Sequence, residues 1–365
     1  MKKRSVMKKF FALAAAAALC LSLAACSDPS AQNTQQSQGG EGSQPPASSV
    51  GEENTPAGEN TPAGGESYQV AIIKQMDHAS LDEIAAAIEA RLDEIAAENG
   101  VTIQYTTSSG QGDQTILKQL ADQAIADGAD AIIPIATTAA QVAAVSAEDT
   151  QTPVVYAAIS YPETANLTGI DYVTGTSDAL DTQLILDMML AADPEVKSVG
   201  LLYSLSEPNS EVPIAEAKEY LEGKGISYIE QTAATNDEVI AAASALTAAG
   251  VDAIFTPTDN IIMAAELAIY EDLADAGIPH YTGADSFVRN GAFAACGVNY
   301  TNLGAQTADL AYQAITQGMD AMEEVYQLPG DTITVNTETA GALGADYSMF
   351  EGMAANLVEV TTTKE

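Results

Sequence analysis

The run Gly128-Ala129-Asp130-Ala131-Ile132-Ile133-Pro134 is matched later in the chain by Gly250-Val251-Asp252-Ala253-Ile254-Phe255-Thr256. Each reads as a helix stop followed by an apolar strand, and each sits inside a longer alternation of strands and helices. In the first round, strands are predicted over 69–74, 101–106, 130–136 and 153–158, with helices over 81–99, 114–127 and 138–147. The helix over 81–99 places Ile84, Ile88, Leu92 and Ile95 on one face and stops at Gly100. The order restarts with strands over 198–203, 227–231, 252–256 and 279–282, and helices over 211–224, 237–249 and 260–276. Strands that are apolar throughout must be covered on both faces, which requires a mostly parallel sheet between helical layers. Two rounds predict two similar α/β lobes. Their irregular spacing marks a repeated structural unit and not a solenoid.

The amino-terminal segment has a different character. Lys2, Lys3, Arg4, Lys8 and Lys9 precede an apolar run over 10–23 that is short for a bilayer span. This is the pattern of a secretory signal peptide over 1–25. Its end, Leu23-Ala24-Ala25-Cys26, resembles a bacterial lipobox, in which the cysteine becomes the acylated first residue, typically carrying palmitate. The alternative is a plain cleaved signal with Cys26 left as an ordinary thiol. Either reading places the body outside the cytoplasm. Residues 26–67 then form the lipid site and a linker rich in Gly, Ser, Gln, Pro and Glu, with Glu-Asn-Thr-Pro-Ala-Gly starting at Glu53 and again at Glu59. With almost no bulky apolar residue it cannot bury a core and is expected to act as a flexible tether.

A formal net charge of −38 makes nucleic acid and anionic headgroups repulsive partners. Contact with a membrane is expected through the lipid anchor alone. Of the three cysteines, Cys20 lies in the signal, Cys26 is the lipid site, and Cys296 sits in an apolar run that reads as a buried strand. His78 and His280 are far apart, and no metal-ligand spacing occurs. The sequence contains no Gly-x-Ser-x-Gly elbow, P-loop or dinucleotide fingerprint, so no catalytic set and no cofactor is expected.

In open parallel sheets ligands meet the carboxyl ends of the strands. The loops there carry hydroxyls, amides and a few carboxylates. Thr137 and Thr138 open a helix, where free N–H groups suit a carboxylate; they equally suit simple capping. Asp259 and Asp285, on equivalent loops of the second lobe, read as partners for an ammonium group or as caps. Tyr156, Tyr203, Tyr281 and Phe287 read as core residues or as stacking surfaces.

Several runs at these loops are similar to one family: Met76-Asp77-His78-Ala79-Ser80-Leu81-Asp82, Gly110-Gln111-Gly112-Asp113, Ile135-Ala136-Thr137-Thr138-Ala139-Ala140-Gln141, Thr174-Gly175-Thr176-Ser177-Asp178, Ser206-Glu207-Pro208-Asn209-Ser210 and Pro257-Thr258-Asp259-Asn260. Over residues 68 to about 333 the chain resembles the ABC-type substrate-binding lipoproteins of the TrpX/YtrF-like branch, some of which bind tryptophan or other aromatic amino acids. The resemblance implies a type I periplasmic-binding-protein fold, with two Rossmann-like doubly wound lobes on a three-segment hinge. The first lobe would span 68–172 plus 297–327 and the second 173–296 plus 328–365. The crossings would lie near 168–174, 297–300 and 328–335. The ligand, a small polar molecule of the amino-acid class, would sit between the lobes and be released to a permease and its ATPase by a monomeric receptor. By position, Thr137 and Thr138 would hold its carboxylate, Asp259, Asn260 and Asp285 would face its ammonium, and Ser206 and Asn209 would add hydrogen bonds. His78 and Gln111 complete the expected ligand-binding set. Where this chain has Ala79 and Thr138 the family often has proline. Two other readings fit the same pattern: a sensory receptor not coupled to transport, and a secreted enzyme on a doubly wound fold.

Overall fold

The computed structural model describes residues 65–363. The signal peptide, Cys26 and the linker up to residue 64 lie outside the described residues. The described residues form one compact unit. No helix among the described residues is long and apolar enough to cross a membrane.

The first lobe begins with β1 (Ser67–Lys74), α1 (Ala79–Asn99), β2 (Thr102–Ser109), α2 (Gln114–Ala126), β3 (Ala131–Ile135), α3 (Thr137–Ser146), β4 (Val154–Tyr156) and β5 (Val173–Ser177). The second takes over with α4 (Thr182–Ala192), β6 (Ser198–Tyr203), α5 (Glu211–Lys224), β7 (Ser227–Thr232), α6 (Asn236–Ala249), β8 (Ala253–Thr256), α7 (Asn260–Asp275), β9 (His280–Thr282), α8 (Asp285–Arg289) and β10 (Ala294–Gly297). Then α9 (Tyr300–Gln317) and β11 (Tyr326–Gln327) return to the first lobe, and β12 (Thr332–Asn336), α10 (Thr337–Leu343) and β13 (Asn356–Val360) complete the second.

The first sheet is parallel throughout, in the order β11-β5-β4-β3-β1-β2. The second, β13-β12-β10-β9-β8-β6-β7, is parallel except where β10 meets β12. Strand side chains alternate between the two faces of a sheet. Accordingly Val70 and Ile72 of β1 join the core beneath α1 and α9, while Ala71 and Ile73 join the one beneath α2 and α3. Ile84, Ile88, Leu92 and Ile95 are the buried stripe of α1, as their spacing requires. Its neighbour α9 approaches closely at Gly304, where a Cβ would lie 2.6 Å from the Ile84 carbonyl oxygen. Cys296 is buried in β10.

One boundary is corrected. Residues 168–174 were expected to cross between lobes, which put residue 173 onward in the second lobe. Instead β5, over Val173–Ser177, pairs with β4 and β11 in the first sheet, so the chain crosses between Ser177 and Thr182. Its hydroxyl-rich sequence is tolerated in a buried strand because the hydroxyls are bonded. Thr176 Oγ1 lies 2.7 Å from Thr307 Oγ1, and Thr174 Oγ1 donates to the Glu323 carbonyl at 2.6 Å. The other two crossings follow β10 and β11.

Candidate functional site

The carboxyl ends of the inner strands of both sheets converge on one cavity. The first lobe contributes His78 and Ser80 after β1, Thr137 after β3, and Ala158 after β4. The second contributes Asn209 after β6, residues 258–260 after β8, and Ala284 and Phe287 after β9. Asp178 enters from the first crossing and Tyr300 from the second. Side chains from both lobes nearly fill the space among them, leaving a cavity of about 20 Å³, room for about one water molecule, so the lobes must part to admit a solute.

The lobes touch directly here. Gln75 Nε2 donates to Glu207 Oε1 at 2.7 Å, and the Gln75 Oε1 accepts the Thr138 N–H at 2.9 Å. Glu207 Oε2 receives Asn260 Nδ2 at 2.6 Å. That fixes Asn260 Oδ1 toward His78 Nε2, 3.0 Å away. An amide oxygen only accepts, so His78 carries its proton on Nε2 and leaves Nδ1 as a lone pair, buried without a partner. Burial pulls the His78 pKa down to about 4, which keeps the ring neutral. Glu207 is buried with amide donors only, and burial together with the Asp259 carboxylate pushes its pKa up to about 8. Ser80 Oγ meets Ser286 Oγ, and Arg289 pairs with Glu83, so further contacts bridge the lobes at the cavity mouth.

Two alanines lining this space have backbone angles that favour glycine: Ala136, with φ 75° and ψ 162°, and Ala158, with φ 58°. Each holds about 1–3 kcal/mol of strain that its surroundings must offset, and such strain concentrates at binding sites.

Of the expected ligand-binding residues, His78, Thr137, Asn209, Asp259 and Asn260 are brought together around the cavity. Thr138 is buried just behind it, its N–H held by Gln75, a bond that proline could not make. Gln111, Ser206 and Asp285 are not among the lining residues. Gln111 follows β2, an edge strand far from the sheet centre, and its amide bonds the exposed Asp77. Ser206 is exposed and bonds Ser204. Asp285 opens α8 and is paired with Arg289.

Asp259 lines the cavity, but its carboxylate is filled. Oδ1 accepts the N–H groups of Ile261 and Ile262, and Oδ2 accepts Ser204 N–H and Ser210 Oγ at 2.7 Å each. It caps α7 and ties two loops together, leaving no acceptor position for an ammonium group. Of the four aromatic residues considered, Phe287 lines the cavity. Tyr156, Tyr203 and Tyr281 lie in the cores.

Gln75, Asp178, Glu207 and Tyr300 were not anticipated as site residues. Gln75 is the first residue beyond β1, and Asp178 the first beyond β5. Strand-end position was the signal that could have found both. Nothing local marks Glu207 for burial.

The sequence model of the ABC transporter substrate binding protein family matches residues 69–348. A tyrosine-binding protein of Clostridioides difficile is 26% identical over 279 residues, covering 75% of this chain and 80% of that protein. Among solved structures, an ABC domain from Streptococcus pneumoniae in complex with L-Trp is 28% identical, with a TM-score of 0.72 over 80% of this chain and all of that one. The ligand-free, open structure of a Clostridium difficile substrate binding protein with adhesive properties is 26% identical, with a TM-score of 0.60 over 81% of this chain and all of that one. A conserved domain protein of Vibrio cholerae gives 0.73 at 26% identity over 80% of this chain and 99% of that one.

Proposed function

Because the chain belongs to the ABC transporter substrate binding protein family, we propose that it is the extracytoplasmic receptor of an ABC importer and that its solute is an aromatic amino acid. The observation that carries this reading is the cavity between the lobes, with polar side chains from both lobes bonded across it. The lobe arrangement supports it. At nearly equal identity and coverage, the fold superposes better on the L-Trp complex than on the ligand-free, open relative. The amino-acid class is supported by the relatives, one named for tyrosine and one holding tryptophan.

In this reading Phe287 supplies an aromatic wall, and Thr137 with the start of α3 seats the carboxylate. Ligand contacts with both lobes favour the closed arrangement over the open one, and the permease reads that difference. Lipidated Cys26 and the linker behind it would keep a monomeric receptor beside the membrane, within reach of the permease and its ATPase.

The test is a thermal-stability screen of residues 61–365 against L-tryptophan, L-tyrosine and L-phenylalanine, with sugars and nucleosides alongside. A true ligand at a hundredfold excess over its dissociation constant adds about 2.7 kcal/mol. Stabilisation by a sugar or nucleoside, with none by the three amino acids, would overturn the assignment.

A further inference from the structure

We propose that Asp178 and Asn209 together form the seat for the ligand's ammonium group. This rests on the amino-acid reading of the cavity given above.

Asp259 has four internal donors and no position to spare. Asp285 is paired with Arg289 and is not among the lining residues. Glu207 holds the two lobes together through Gln75 and Asn260 and is likewise absent from the lining. Asp178 differs from all three. It lines the cavity, is only 3% exposed, and receives one hydroxyl on each oxygen: Ser160 Oγ at 2.8 Å and Tyr300 OH at 3.0 Å. Its own backbone N–H is a third donor, and since a carboxylate has about four acceptor positions, about one stays uncommitted.

Asp178 also lacks a counter-charge. Its neighbours are hydroxyls and backbone, with no basic side chain acting on it, and burial alone pushes its pKa up. A buried carboxylate in that state is stable only with a proton or a cation beside it. A ligand ammonium supplies that cation from within the cavity.

Asn209 adds a second uncommitted acceptor. It is 7% exposed, and its Nδ2 donates to the Thr258 carbonyl at 2.6 Å. That bond fixes the amide, and Oδ1 is buried with no partner. The two groups share one wall, because Ser160 Oγ, which bonds Asp178, also lies 3.3 Å from Thr258 Oγ1. The uncommitted positions on this wall are acceptors, which complements an ammonium group with three donors and no acceptor. The seat joins a residue of the first crossing to a residue of the second lobe. The charge of the ligand is therefore read where the hinge meets the closing lobe.

The experiment compares an amino acid with its deamino analogue: L-tryptophan with 3-(indol-3-yl)propionate, and L-tyrosine with 3-(4-hydroxyphenyl)propionate. Titration calorimetry is run on residues 61–365, unaltered and as Asp178→Asn. The unaltered protein is expected to prefer the amino acid by about a hundredfold or more, and Asp178→Asn by less than about tenfold. Asparagine keeps the size of the side chain, and the ligand-free melting temperature checks that the fold survives. Asn209→Ala, which removes the unpartnered oxygen at the loss of one hydrogen bond, is expected to reduce the preference about tenfold. It carries the test if Asp178→Asn does not fold. An amino-acid preference that survives in the folded variants overturns the seat and leaves the proposed function standing. Failure of the unaltered protein to bind either amino acid overturns both.

Discussion

Gln75 of the first lobe donates its side-chain N–H to Glu207 of the second, Nε2 to Oε1 at 2.7 Å. The acceptor is a buried carboxyl with a pKa raised to about 8, so the contact between the lobes is tied to a proton. Between the ordinary value of 4.5 and about 8, the folded protein holds a proton that the unfolded chain has released. The stabilisation is fully present at the acid end and is lost as pH rises through about 8. Melting curves from pH 5 to 9 should show this decline, with an amplitude on the order of a few kcal/mol. Glu207→Gln should flatten the slope, whatever it does to absolute stability, because the replacement amide turns one acceptor into a donor. An unchanged slope in the variant would locate the titration elsewhere.

Asp259→Ala should destabilise the protein. The substitution removes the cap of α7 and orphans the buried N–H of Ser204 and hydroxyl of Ser210. A lost cap costs about 1 kcal/mol, and each stranded buried donor about 1–3 kcal/mol more. Urea denaturation is the measurement. A variant as stable as the parent would show that these bonds carry no weight.

Phe287→Leu should weaken binding of an aromatic amino acid by about tenfold while preserving most of the buried volume. The ring is 1% exposed, lines the cavity and packs edge-on to His280 with ring centroids 6.3 Å apart. Calorimetric affinity for L-tryptophan is the readout, and an unaltered value would remove the stacking role.

Cys26→Ala should abolish labelling by a palmitate analogue in producing cells and move the chain from the membrane to the soluble fraction. Persisting membrane association would point to an anchor other than this cysteine.

The strand and helix order was legible because the inner strands carry apolar runs, as in residues 131–135, and are covered on both faces. β5 was not, since Val-Thr-Gly-Thr-Ser resembles a loop unless the distant partners of its hydroxyls, Thr307 and Glu323, are known. The strand-end rule located the loops of the site but could not rank them. Whether Gln111 reaches the cavity depends on β2 being an edge strand, a property of sheet order. Asp259 lines the cavity, and the cap reading accounts for two of its donors, Ile261 and Ile262, whereas the other two, Ser204 and Ser210, lie about fifty residues away and no local pattern brings them to it. Glu207 reads as a solvated loop acid, and its burial depends on Gln75 and Asn260 from other loops.

The return of α9 and β11 to the first lobe has a consequence for synthesis. One face of that lobe's sheet lacks its second covering helix until residues 300–317 arrive, by which time five of the seven strands of the second sheet have been made. A ribosome-bound chain therefore cannot finish its first half early. The sheet of the first lobe is complete only once the final quarter of the chain has emerged.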